Sequence, residues 1–189
     1  MKSLKIIRLL QALEKTELNE CRKYIMSKTQ TTGSTVLDLY KILRKYYPAF
    51  DSRGLDRKKI FHRLFPNTIY SEKKLTETVY KLNLLIEEFL VVKEIRTDPF
   101  LKKKLLTQAY GKRNLFTRFE QSTGQLLNQL EKSTVRDMTY YLERINLIHH
   151  YFFHPNTIKY QTSTIGIEEI MKGLDFYFLW KTRFGYCFL

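Results

Sequence analysis

"KKIFHRLFPNTIYSEKKLTETVYKLNLLIEEFLVV", residues 58–92, reads as a short helix, a turn, and a long helix that runs into a β-branched tail. Ile60, Phe61, Leu64 and Phe65 recur at helical spacing until Pro66 and Asn67 stop the first segment, and Ser71 then opens the second. Leu75, Val79, Leu82, Ile86 and Phe89 fall on one face of that second helix. Helices over 34–46, 56–65 and 71–90 have the lengths of a helix-turn-helix core, whose third helix enters the major groove in the winged-helix version. Charge argues against groove reading here. Residues 66–95 carry four basic side chains against five acidic ones, an acidic excess in the element that would have to approach phosphates. The wing is also missing from the pattern, because "VVKEI" is followed by "RTDPF" with no glycine-centred hairpin. The long helix is therefore expected to pack, and "FLVVKEI" either completes it or forms one short strand.

Outward from this segment the chain continues to read as helix. Leu4, Ile7, Leu10 and Leu13 share one helical face, Thr16 is a cap for a second helix through Leu18, Cys21 and Ile25, and "SKTQTTGST" is a polar loop. Ser34 opens a third helix with Val36, Leu37, Tyr40 and Leu43 inward, closed by Pro48; Asp56 caps the next. "DPFLKKKLL" is the clearest start, with Asp98 at the cap and Pro99 at the first helical position, where a missing N–H costs nothing. That helix breaks near Gly111 and resumes through Leu115, Phe119, Leu126, Leu127 and Leu130. Two more helices follow, from about Asp137 to Phe153 and from about Ile165 onward. Only 7 glycines and 4 prolines punctuate the 189 residues, so the elements between breaks are long. The expectation is an all-α chain of eight or nine helices.

At 43% hydrophobic residues the chain has enough apolar surface for a sizeable core. Its two cysteines, Cys21 and Cys187, lie far apart without metal-ligand spacing and are expected to be reduced thiols. The N-terminal apolar stretch is interrupted by Arg8 and has no small-residue cleavage site, and no run reaches the roughly 18 apolar residues of a membrane span. A soluble, cytoplasmic protein with no membrane partner is expected. The net charge of +14 attracts polyanions in general. Its densest clusters are Arg57, Lys58, Lys59 and Arg63, and Lys102, Lys103 and Lys104 with Lys112 and Arg113. Consecutive lysines on a helix point about 100° apart, as on any solvated face. Arg57, Lys58, Lys59, Arg63, Lys102, Lys103 and Lys104 remain the phosphate contacts of an alternative, nucleic-acid-binding reading.

No nucleophile elbow, phosphate-cradling glycine loop or dinucleotide fingerprint occurs. His150 and His154 in "LIHHYFFHP" stand four apart, but no glutamate lies between them as in a zinc protease, and Pro155 ends the helix. The adjacent pairs Glu87/Glu88 and Glu168/Glu169 diverge on helices instead of converging on one bond. Neither catalytic residues, metal ligands nor a cofactor are expected, and the protein is read as a non-enzyme.

The last helix is more telling. Ile167, Ile170, Met171, Leu174 and Phe178 form one apolar stripe, and Tyr177, Trp180, Phe184 and Phe188 a second. Together they exceed the roughly 100° arc that one-sided burial needs. The chain closes on "GYCFL" without a polar capping turn, whereas stacked helical arrays end on a polar outer face. Ile167, Met171, Leu174, Tyr177, Phe178, Trp180, Phe184 and Phe188 are thus the expected surface for a protein partner or a second copy.

"LYKILRKYYPAF", the 59–92 segment and "STVRDMTYYLERI" resemble the N-terminal portion of a group of longer, uncharacterised bacterial proteins, in which tetratricopeptide-like helices follow a helical N-terminal region. The resemblance covers most of residues 1–180 and carries no functional residues. It implies a winged-helix-like helical domain over 1–132 and a tetratricopeptide-like helical pair over 133–189, packed on the first as one unit or held apart from it. It also implies that this chain ends where the others continue. The expected function is a non-enzymatic interaction or scaffold protein, with nucleic-acid binding as the alternative.

Overall fold

The computed structural model describes residues 5–28, 33–50, 55–158 and 165–185. Every element among them is a helix. In chain order these are α1 (Lys5–Ala12), α2 (Lys15–Ser27), α3 (Ser34–Arg44), α4 (Arg57–Leu64), α5 (Glu72–Thr97), α6 (Pro99–Lys112), α7 (Phe116–Glu131), α8 (Met138–Phe152), the short α9 (Pro155–Ile158) and α10 (Ile165–Gly185). The all-α reading is correct at this level. "FLVVKEI" completes α5, which runs unbroken to Thr97, and no strand stands among the described residues where a wing would follow.

The chain divides into two compact units, Met1–Glu94 and Ile95–Leu189. In the first, α5 supplies the central apolar face: Leu75, Thr78, Val79, Leu82, Leu85, Ile86 and Phe89 are buried. Against the same core lie Ile6, Ile7 and Leu10 of α1, Leu18, Cys21 and Ile25 of α2, Val36, Leu39, Tyr40 and Leu43 of α3, and Ile60 and Phe61 of α4. Fully burying one such side chain contributes about 1.5–3 kcal/mol, so this shared interior dominates the unit's cohesion. The buried Tyr40 hydroxyl is satisfied, donating to the Leu18 carbonyl at 2.6 Å. Cations and carboxylates stitch the flanks of α5: Lys5 to Glu87 at 2.5 Å, Lys28 to Glu88 at 3.2 Å, and Lys93 to Glu17 and Glu20 at 2.8 and 3.4 Å. Lys93 beside it holds the Glu17 carboxyl below its ordinary range. Surface pairs of this kind add at most about 1 kcal/mol each.

Helix starts follow local chemistry. Asp56, Asp98 and Asp137 each accept a backbone N–H two or three residues inside the helix, from Lys59, Leu101 and Tyr140, all at 2.9 Å. The cap of α2 is Glu14 and not Thr16: Glu14 and Glu17 form a reciprocal capping box, with the Glu14 N–H donating to Glu17 at 2.7 Å. Likewise Gly33, at φ +84°, precedes Ser34, which is already helical. That backbone conformation suits a residue without a Cβ.

The expected division at 132/133 falls inside the second unit. There α6 packs on α7, α7 on α8, and α8 on both α9 and α10. Side chains show why α6 and α7 belong with the later helices. Thr107 of α6 and Ser122 of α7 share a buried hydroxyl contact at 2.5 Å, and the Phe119 ring of α7 lies 4.8 Å from that of His154 and 6.1 Å from that of Tyr151. The division occurs instead within α5, one turn before its end, where neither glycine nor proline marks it.

Two outcomes test this account. Ile86→Ala should cost the first unit about 3 kcal/mol in a urea titration, whereas Glu87→Ala, which removes only a surface pair, should cost less than about 1 kcal/mol. Burial also pushes the Cys21 thiol up to about 12. Peptide mapping after iodoacetamide treatment at mildly alkaline pH should find Cys21 unmodified in the native chain and modified after denaturation.

Candidate functional site

The strongest candidate surface is built by the way α10 lies on α8. Four contacts fix their register. Tyr141 stacks on Phe176 with ring centroids 5.3 Å apart, and Arg144 reaches Glu169 at 3.1 Å. A Cβ added to Gly173 would stand 2.7 Å from Ile145, and one on Gly166 would stand 2.3 Å from Phe152. As numbers rise along α8 they fall along α10, so the two helices run antiparallel. The two glycines, seven residues apart on one face, let the backbones approach closely.

Close approach buries the inner face of α10 and leaves the outer one open. Ile170 is 9% exposed, while Ile167, Met171 and Phe178 are 44, 54 and 56% exposed. These three, at helical spacing, are the outer edge of the stripe expected from sequence. Leu174, Tyr177 and Trp180 are half-buried. The Phe184 side chain and Phe188 lie outside the described residues. Sequence reasoning missed Leu179 and Phe176, 64 and 50% exposed, which with Trp180 and Arg183 line a separate hollow on another side of α10. It also missed Gly166 and Gly173, which set the seam.

The basic residues are less available than their number implies. Arg57 is ion-paired with Glu72 and donates to the Thr76 hydroxyl at 3.2 Å. Lys58 sits 6.0 Å from the Tyr70 ring centre, and Lys104 is held by Glu143 at 2.5 Å. Lys59, Arg63 and Lys102 are exposed and Lys103 is half-buried. Arg57, Lys58, Lys59 and Arg63 belong to the first unit, and Lys102, Lys103 and Lys104 to the second.

A feature that sequence did not reveal is a cavity of about 480 Å³ among α6, α7 and α8. Phe119, Leu147, Phe153 and His154 form its apolar walls, and Gln108, Lys112, Asn114, Asn146 and His150 bring polar groups to it. His154 is buried and fully used: its Nδ1 accepts from the Asn156 N–H and its Nε2 faces the Gly111 carbonyl, both at 3.3 Å. With Nδ1 accepting, the ring hydrogen is assigned to Nε2. His150 stands apart on the exposed side, its pKa lowered by partial burial and then by His149 and Lys104. Among the described residues no group of three His, Cys, Asp or Glu side chains is placed to hold a metal ion. No helix among them is long and apolar enough to cross a membrane.

Compared with known proteins, the chain matches no family model, no curated protein and no solved structure.

The helix seam makes a paired prediction. Alanine normally improves a helix over glycine by up to about 1 kcal/mol, and Gly124→Ala, in open space on α7, should be stabilising by that amount in thermal unfolding. Gly173→Ala should have the opposite sign, because its Cβ would overlap Ile145.

Proposed function

We propose that the protein is a non-enzymatic interaction module that docks another protein chain, or a second copy of itself, on the outer face of α10. The observation that carries this reading is the stripe Ile167, Met171 and Phe178. Its members are all more than two-fifths exposed on a helix whose opposite face is already occupied by α8. Contiguous apolar side chains of this size are unfavourable in water, and pairing with a like surface removes them from it. In the same reading the first unit is a winged-helix-like scaffold, and α8 with α10 is a tetratricopeptide-like pair. The antiparallel register and the sequential packing of α6 on α7 and α7 on α8 support it. Nucleic-acid binding is the weaker reading, since Arg57 and Lys104 are neutralised within the chain.

Light scattering across a concentration series should show mass rising with concentration for the native chain, and a monomer of unchanged melting temperature for Met171→Glu/Phe178→Glu. For a heterologous partner, a photo-crosslinking residue at Met171 should give discrete adducts in cells that Phe178→Glu abolishes. A monodisperse monomer together with no Phe178-dependent adduct overturns the proposal.

A further inference from the structure

We propose that the cavity among α6, α7 and α8 binds a small molecule with a planar apolar body and a single anionic group. Its volume of about 480 Å³ lies within the roughly 300–1,000 Å³ of ordinary ligand pockets, which are mostly apolar with a few convergent polar groups. The walls fit a flat body. Phe119 and His154 pack on each other at the back of the cavity, their ring centroids 4.8 Å apart and inclined by 32°, and the accessible ring of the lining is Phe153, 50% exposed. Against rings, a planar ligand gains stacking as well as area.

Charge selects the anion. The lining includes Lys104 and Lys112 and no carboxylate. Lys104 is already held by Glu143, which does not line the cavity. Lys112 is exposed and forms no ion pair among the described residues, so its ammonium is the one to meet a ligand. Asn114 and Asn146 add amide donors nearby.

The ends of α6 and α8 also lie here, and helix C-termini ordinarily repel anions. On α6 the closing carbonyls are occupied. Gly111 O accepts from the Asn114 N–H at 3.0 Å and faces His154 Nε2, and Tyr110 O accepts from the N–H groups of Arg113 and Leu115 at 3.1 Å. On α8, His149 O and Tyr151 O accept from the N–H groups of Phe153 and His154 at 3.0 and 3.2 Å. These four carbonyls, whose lone pairs would oppose an anion, are thus turned to internal donors.

The test uses two fluorescent probes of similar body, anilinonaphthalene sulfonate and the uncharged N-phenylnaphthylamine, titrated into the full chain. Lys112→Glu should weaken the sulfonate by about tenfold or more, the size expected for a charge-assisted contact, and leave the uncharged probe nearly unchanged. Asn146→Trp, which fills the mouth, should remove both signals. The exposed face of α10 also attracts such dyes, so the same titrations on Met171→Glu/Phe178→Glu should retain the Lys112-sensitive component. Circular dichroism melting verifies that each variant folds. Should Asn146→Trp melt early, Lys112→Glu, at an exposed position, still decides. The proposal is overturned if Lys112→Glu leaves sulfonate binding unchanged or weakens both probes alike, or if all binding disappears with the α10 variant.

Discussion

In the first unit the decisive constraint is the removal of one face of α5 from water. Leu75, Val79, Leu82, Ile86 and Phe89 cannot be exposed together without a cost of many kcal/mol, and four other helices supply the apolar surface that receives them. Once that face is committed, only the flanks and the outer side of α5 stay near solvent. Carboxylates on the flanks are taken up by lysines of the same unit, Glu87 by Lys5 and Glu88 by Lys28. A helix in this position is a strut. Its acidic groups serve neighbouring helices and do not discourage an approaching polyanion alone.

The second unit is held by different means. Among its described residues fewer side chains are buried, and polar groups appear in the interior: Thr107, Ser122, Thr123, His154 and Thr157. Most find partners locally. Thr107 donates to the Lys103 carbonyl and Thr123 to the Phe119 carbonyl, each at 2.8 Å, satisfying hydroxyls whose burial would otherwise be costly. Aromatic contacts between α7 and the end of α8 do much of the remaining packing. Between them these features produce both an open face on α10 and a hollow beneath α8, where the first unit has a closed core.

What the sequence showed and what it hid divide along physical lines. Aspartates at helix starts were legible because a cap is a local event, decided within three residues, as Asp56, Asp98 and Asp137 illustrate. The inward stripe of α5 was legible because period and burial coincide over many turns. The nature of residues 89–95 was not, since Val91 and Val92 suit strand and helix alike and only continuity with the preceding turn decides. Glu14 hid as a cap because its partner, Glu17, completes the box by reaching back. The unit boundary was invisible for a stronger reason: it lies within unbroken helix, with no composition change to announce it. On α10 the stripe of Ile167, Met171 and Phe178 was readable, yet which edge faces outward depended on Gly166 and Gly173, whose missing side chains carry no hydrophobic signal. The cavity, assembled from three separated helices, has no one-dimensional trace.

The paired glycines have an electrostatic corollary. By bringing two helical backbones together head to tail, they set the partial positive charge at the start of α10 beside the partial negative charge at the finish of α8. Opposed dipoles at short range largely cancel, so the pair casts little field along its axis. The electrostatic character of the outer surface of α10 is then set by its own exposed side chains, Glu168, Lys172, Asp175, Lys181 and Arg183, and not by its backbone.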